Sequence, residues 1–246
     1  MSGVTLKGAL VEFLPTTSPV PIPNVIVFQY NPETITHTWS QPETTPPPAS
    51  TAKGGAEASN PLAVKGDPGE EFSFTIAMDA NDEIANQGPG AAIAQVSGIY
   101  SRLAALEMLL YPASTAGSGL LGKVSAAISS ALGGQSAGAT STVPQSVLPV
   151  VLFIWGAERI VPVRVKGLTI TEKLYDATLN PTHAEAQLTL RVLTPTELNS
   201  AKAQGDNDVL IGLATTAYNY TFTLRQAQAL ANLVNSTESI IGMIPH

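Results

Sequence analysis

EEFSFTIAM, residues 70–78, is the stretch that decides the fold. Phe72, Phe74, Ile76 and Met78 alternate with polar or small neighbours, so a period of two puts all four on one face. That is a half-buried strand. Upstream, residues 40–69 carry Pro42, the run Pro46-Pro47-Pro48, four glycines and many small polar residues, and predict a long loop. Before it, VTLKGALVEFL (4–14) and NVIVFQY (24–30) predict two strands separated by the proline-rich turn PTTSPVPIP. Asn31-Pro32 then stops the second run, and Thr34–Trp39 alternates Ile35 and His37 against Thr36 and Thr38.

Downstream the period changes. Ile93, Val96, Tyr100, Leu103, Leu106 and Leu110 recur every three or four positions and predict one amphipathic helix over 91–110, ended by Pro112. Residues 112–146 are rich in Ala, Gly and Ser, hold no acidic residue, and carry one weak helical stripe at Leu120, Val124, Ile128 and Leu132. Four strand-like runs follow, LPVVLFIW (148–155), RIVPVRV (159–165), LTITEKLY (168–175) and AEAQLTLRVL (184–193), with Pro162 marking an edge or a bulge. A last helix is expected over 221–237. These elements predict a mainly β protein, an antiparallel barrel or sandwich with one central helix and a C-terminal helix. The expected division is a β domain over 1–197, including the 40–69 loop and the 112–146 insertion, and a helical extension over 198–246.

Composition narrows the function. The 246 residues are 44% hydrophobic but only 13% charged, about half the usual share for a soluble domain. Mean hydropathy is +0.16. So few charges leave uncharged or apolar surface, which points to a subunit of an assembly. A secreted Ser/Thr/Gly-rich domain is the competing reading. The net charge of −7, with 12 Lys and Arg scattered along the chain, argues against nucleic acid. The chain has no cysteine, so disulfides and thiolate metal sites are excluded. MSGVTLKGALVEF lacks the basic and apolar regions of a signal peptide, and Val147–Trp155 is too short to span a bilayer. Cytoplasmic synthesis and no membrane insertion are expected.

Chemical motifs fail on context. GSGLLG (117–122) matches G-x-G-x-x-G, yet a proline-containing loop precedes it and no Asp or Glu lies between Glu107 and Glu158. GQSAG (134–138) matches a nucleophile elbow at Ser136, but lies in a low-complexity segment. Asp176 and His183 follow it only seven residues apart, inside the strand block. His37, His183 and His246 do not share ligand spacing. MDANDE (78–83) clusters Asp79, Asp82 and Glu83 without the EF-hand pattern, and is expected to be a solvated loop capping the 70–78 strand. No catalytic residue, metal ligand or cofactor is assigned, and no enzymatic activity is expected.

The order of the signals is more informative than any one of them. VIVFQYNPETI, EEFSFTIAMDA, a helix ending in LEMLLYP, LPVVLFIWG, and VRVKGLTITEKLYDATLNPTHAEAQLTLRVLTPTEL follow one another. The series resembles the tube-like proteins of contractile injection systems, phage-tail-derived devices with a sheath, an inner tube and a spike. Phe28, Asn31, Pro32 and Ile35 match that family's F-N-P-x-x-[LI] strand end. Pro149, Val151, Phe153, Trp155 and Gly156 match its P-x-[VL]-x-F-x-W-G strand. Val165, Leu168, Ile170, Ala184, Ala186 and Leu188 match its closing hairpin. The likeness covers about 4–40, 68–112 and 147–197; no LysM pattern is visible in 198–246. It implies a tail-tube-like barrel, a six-fold ring of identical subunits near the junction of tube and baseplate, and inner-tube, spike and baseplate proteins as partners. A carbohydrate- or peptidoglycan-binding β-module is the alternative, weakened by an aromatic content of 6%. A serine hydrolase built on Ser136 is a more distant one.

On chemistry alone, Asn31-Pro32 ends strand pairing and forces a corner, with Asn31 expected to bond the backbone ahead of it. Trp155 beside Gly156 is read as a core anchor, or as an interface residue where a neighbouring segment approaches closely. The 168–193 hairpin is the candidate for edge pairing between copies. The 40–69 and 112–146 segments are expected to touch adjacent rings, sheath or spike, or else to be disordered.

Overall fold

The computed structural model describes residues 6–14, 22–42, 66–87, 90–111, 149–203 and 208–241. Seven strands, β1 (Ala9–Leu14), β2 (Ile22–Val27), β3 (Ile35–Ser40), β4 (Gly69–Asp79), β5 (Val151–Ile154), β6 (Ile160–Tyr175) and β7 (Pro181–Val192), make one sheet. Its order is β2-β1-β5-β6-β7-β4-β3, and each neighbouring pair is antiparallel. The helices are α1 (Ala80–Ala85), α2 (Ala91–Ser97), α3 (Tyr100–Met108), α4 (Pro195–Ala203) and α5 (Asp208–Ile241).

The sheet is curled. β5 and β4 are separated by β6 and β7, so on a flat sheet they would lie about 14 Å apart. Instead the ring of Phe153 stands 5.3 Å from Phe72 and 5.4 Å from Phe74. Phe28 follows β2 and reaches Phe74 at 5.5 Å and Trp155 at 6.5 Å. Alternation supplies this interior: Phe72, Phe74, Ile76 and Met78 of β4 face Val151, Phe153, Val161 and Val163 across the core, with Ala184, Ala186, Leu188 and Leu190 of β7 between. Small alanines on β7 leave room for the rings, as alternating large and small residues must in a tightly curved sheet.

The sheet remains open. β2 and β3 are its two margins, and among the described residues neither pairs beyond β1 and β4. They are nonetheless consecutive in sequence, joined by only the segment 28–34, so the curl brings the margins toward each other. On the β2 side, α3 contributes Leu103 and Leu106 to the core, and Leu109 follows at its end.

The 91–110 segment is two helices rather than one. Gly98 takes φ +57°, and a Cβ there would lie 2.2 Å from the Pro181 carbonyl oxygen. The next amide, of Ile99, donates to that same oxygen at 2.9 Å. This break turns the chain so that Ile99, Leu103, Leu106 and Leu109 are buried, while Ile93, Val96 and Tyr100 of the expected stripe are exposed.

Four further expectations change. The runs 159–165 and 168–175 are one strand, β6, carried past Gly167 by a bulge. Pro162 is on neither an edge nor the bulge: it pairs with Leu152 of β5, and its carbonyl accepts from Leu193 where β7 has just ended. Its missing donor therefore costs no ladder bond. The 78–83 cluster is not a loop, since Asp79 caps the short helix α1 by accepting from the Asn81 amide at 2.8 Å. The last helix is longer than 221–237, running 34 residues over 208–241. Residues 112–146 and most of 40–69 lie outside the described residues.

α4 and α5 cover the outer face of the sheet. Ala217 packs with Val11 and Leu152 beside Phe13, Ile154 and Ile160, and Ile211 and Ala214 pack with Leu198. Thr221 ties α5 to the start of β6, accepting from the Ile160 amide at 3.0 Å and donating to its carbonyl at 2.8 Å.

Candidate functional site

Of the residues matched to the family motifs, Phe28, Phe153, Ala184, Ala186 and Leu188 are buried in the core, and Ile35, Trp155, Leu168 and Ile170 pack against it from half-buried positions. Asn31 is a clamp, but not a local one. Its Oδ1 accepts from the Gly8 amide at 2.9 Å and its Nδ2 donates to the Leu6 carbonyl at 2.8 Å. The corner at Asn31-Pro32 is thus pinned to the chain leading into β1, not to the backbone ahead of it. Trp155 stacks on Phe153 at 6.3 Å, and the close approach beside it is made by Gly8, where a Cβ would lie 2.6 Å from the indole. Gly156 has open space around it and serves through φ +72°. Gly8 escaped sequence reasoning because a single glycine in an alternating strand gives no local sign of what covers it.

One end of the curled interior is closed by charge. Glu70, 3% exposed, lies on the same face as Phe72. Arg225 of α5 donates to both its carboxylate oxygens, at 2.8 and 2.5 Å, and the Nε2 of His37 approaches Oε1 at 2.6 Å. Arg225 also stacks over Trp39 at 4.9 Å, and Arg159 over Phe72 at 5.2 Å. Burial, seconded by the charges of Arg159 and Arg225, pushes the His37 pKa below its ordinary value, although Glu70 pulls the other way. The neutral ring donates to Glu70, and the cluster locks α5 to β3 and β4.

The acidic cluster beside β4 is likewise engaged. Asp79 faces His183 Nδ1 at 3.2 Å, Asp82 accepts from the Tyr30 hydroxyl, and Glu83 accepts from Arg102 Nε at 2.6 Å. The bond to Asp82 pushes the Tyr30 pKa up to about 12. These carboxylates hold elements together. Ser136 and the GSGLLG run lie outside the described residues.

What the sheet leaves unsatisfied is backbone. β5 pairs with β6 only over residues 160–163, so from Arg164 to Tyr175 the β6 edge turned away from β7 has no strand beside it among the described residues. The outer edge of β2 borders a groove of about 360 Å³ shared with α3, where Arg102 lies close to the Val27 carbonyl at 3.4 Å. The outer edge of β3 carries Trp39. At the tip of the β6–β7 hairpin, the Asp176 carboxylate accepts from Thr178 N at 2.8 Å and from Asn180 N at 2.9 Å, with two side-chain bonds besides. Those bonds, the Asn180 amide first, hold its pKa down at about 2. The stiff turn presents Leu179 at φ +65° and 75% exposure. Leu174 and Tyr175 of the same tip are also exposed, and the Asn180 side chain bonds the Val96 carbonyl at 3.1 Å, so the exposed Val96 and Tyr100 continue the patch.

No family model matches this chain, and no curated protein matches it either. No helix among the described residues is long and apolar enough to cross a membrane.

Proposed function

We propose that this chain is a non-enzymatic structural subunit of a contractile injection system, forming a ring that joins the inner tube to the baseplate and spike. The observation that carries the proposal is the open, curled sheet, whose margins β2 and β3 and the free β6 edge over 164–175 leave backbone donors and acceptors without strand partners. A long unpaired edge on a soluble chain invites indiscriminate pairing, and a closed ring of identical copies removes that hazard. The family likeness supplies the setting, with the hairpin from β6 to β7 as the element that pairs between neighbours. Phe28, Phe153, Trp155, Ala184, Ala186 and Leu188 then build the wall from inside each subunit. The proposed role is mechanical: to align stacked rings and hold the spike until the sheath contracts.

Native mass measurement and negative-stain images of the purified chain test this reading, with closed rings as the expected result. Hydrogen exchange gives a residue-level readout: amides on the free side of 164–175 should exchange fast in dilute monomer and slow in the assembly. A chain that stays monomeric at every concentration, even when tube and spike proteins are supplied, overturns the proposal. In whole particles, label on a tagged chain should mark one end, and label along the full length overturns the junction assignment.

A further inference from the structure

Strand β3 is a margin of the sheet, and it is firmly held. It is six residues long and, among the described residues, pairs only with β4. Thr36, Thr38 and Ser40 are exposed, so its place depends on the side chains of the other face, Ile35, His37 and Trp39. Ile35 packs on the core. His37 stacks on Phe72 at 4.4 Å and bonds Glu70, while Trp39 lies under the Arg225 guanidinium at 4.9 Å. Register sets Glu70 directly opposite Trp39. Arg225, donating to both oxygens of Glu70, therefore grips the β3–β4 ladder at one rung.

Arg225 belongs to a helix that is fixed elsewhere. Before it Thr221 exchanges two bonds with Ile160, and after it Gln228 Nε2 donates to Glu158 at 3.0 Å. Thr221, Arg225 and Gln228 share one helix face, so α5 runs as a strut from the turn between β5 and β6 to the margin β3. Through the sheet the same two points are separated by the ladders β6–β7, β7–β4 and β4–β3. Twist between neighbouring strands ranges over roughly 10–35°, so those ladders alone leave the direction of β3 adjustable. A ring of identical copies closes only when each presents its contacts at the same rotation. The strut supplies that constancy.

The other margin is built differently. The Phe28 amide donates to the Gly8 carbonyl at 2.9 Å, so by alternation residues 23, 25 and 27 of β2 turn their backbone groups away from β1. Pro23 has no N–H to offer, and Arg102 lies 3.4 Å from the Val27 carbonyl. β2 is blunted in the way protected edges are, and β3 is the margin kept ready to pair.

We infer that Arg225 is a positioning residue for assembly: through Glu70 and Trp39 it holds β3 at the fixed angle to β6 that pairing with a neighbouring copy requires. Its part in closure rests on the ring reading above. The hold on β3 rests on the contacts of Arg225 alone.

Arg225→Met and Trp39→Leu test this in the full chain. Trp39→Leu leaves the buried Glu70 paired, and it carries the test if Arg225→Met does not fold. Met78→Ala, inward on β4 at the far end from Glu70, loosens the core without touching the strut. In dilute monomer the two strut variants should exchange the β3 amides about tenfold faster, as loss of a cation–π contact implies, with β2 unchanged. Where the native chain gives closed rings, they should give open or mixed copy numbers in native mass spectra, and Met78→Ala the native number. β3 exchange at the native rate, or native rings from both strut variants, overturns this inference and leaves the ring reading standing. Mixed copy numbers from Met78→Ala as well trace the effect to general loosening and overturn it too. A native chain that never closes, with β3 still freed in the variants, overturns the ring reading and the strut's part in closure, and leaves the tether.

Discussion

At Gly8 a hydrogen atom decides whether Trp155 fits. A methyl group would sit 2.6 Å from the indole and 2.8 Å from the Phe28 ring, and both rings are wedged among Phe153 and Phe74. Gly8→Ala is expected to cost about 1–3 kcal/mol by overpacking, read as a lowered urea midpoint with an unchanged slope. Combining it with Trp155→Leu should cost less than the two changes summed, because the smaller side chain makes room. His37 supplies a second residue-scale expectation. Its folded pKa lies below the unfolded value, so folding is favoured by the neutral ring and that stability is fully present above about pH 6.5. It is lost as pH falls from there toward the folded pKa. Thermal melts of the native chain should weaken on acidification through this window, and His37→Gln should flatten that part of the profile. An unchanged slope in the variant would remove His37 from the lock.

Among the elements, the charge lock on α5 and the tip of the β6–β7 hairpin are the informative ones. Arg225→Met would leave Glu70 buried with only His37 beside it. Losing one partner of a fully buried pair costs about 3–5 kcal/mol; Arg225 is 30% exposed, which lowers the expectation to roughly 2 kcal/mol. Greater hydrogen exchange along α5 than along β7 would place the loss in the helix anchorage. At the hairpin tip, Leu179 holds a left-handed backbone for which a leucine is ill suited, and its side chain buries little. Leu179→Gly should therefore stabilise the folded monomer by about 0.5–1 kcal/mol, while weakening any contact the tip makes. The strands were readable where their cause is local: alternation over 70–78 needs only the neighbouring residues. The helix break at Gly98 was not, because its cause is the Pro181 carbonyl, a partner far along the chain. The same holds for Pro162, which looked like an interruption until the end of β7 at Val192 showed that no donor was wanted there.

For the whole molecule, sequence order conveyed a mainly β protein but not that the sheet stays open, since pairing between margins is a long-range fact that periodicity does not encode. The motif residues were legible as positions, yet most are wall and core. The exposed elements with free edges or neutral faces, the β6 edge beyond Val163 and the outer side of α5, stand out only once the partners of every strand and helix are known. Net charge sets how the molecule should respond to solution conditions. Each copy carries −7, so association is opposed by diffuse like-charge repulsion, while the β6 edge, whose Arg164, Lys166, Glu172 and Lys173 are of both signs, drives it through backbone pairing. Raising salt from about 0.05 to 0.5 M shortens the screening length from roughly 14 to 4 Å, which weakens the repulsion and leaves the contacts intact. Assembly measured by light scattering should therefore strengthen with salt, and also on approach to the isoelectric point near pH 4.9 for as long as the fold survives. The acid limit is set in part by His37, whose protonation loosens α5, so the optimum should fall above pH 4.9 and shift downward in His37→Gln. Dissolution of the assembly by salt would instead mean that ion pairs, and not backbone pairing alone, hold the copies together.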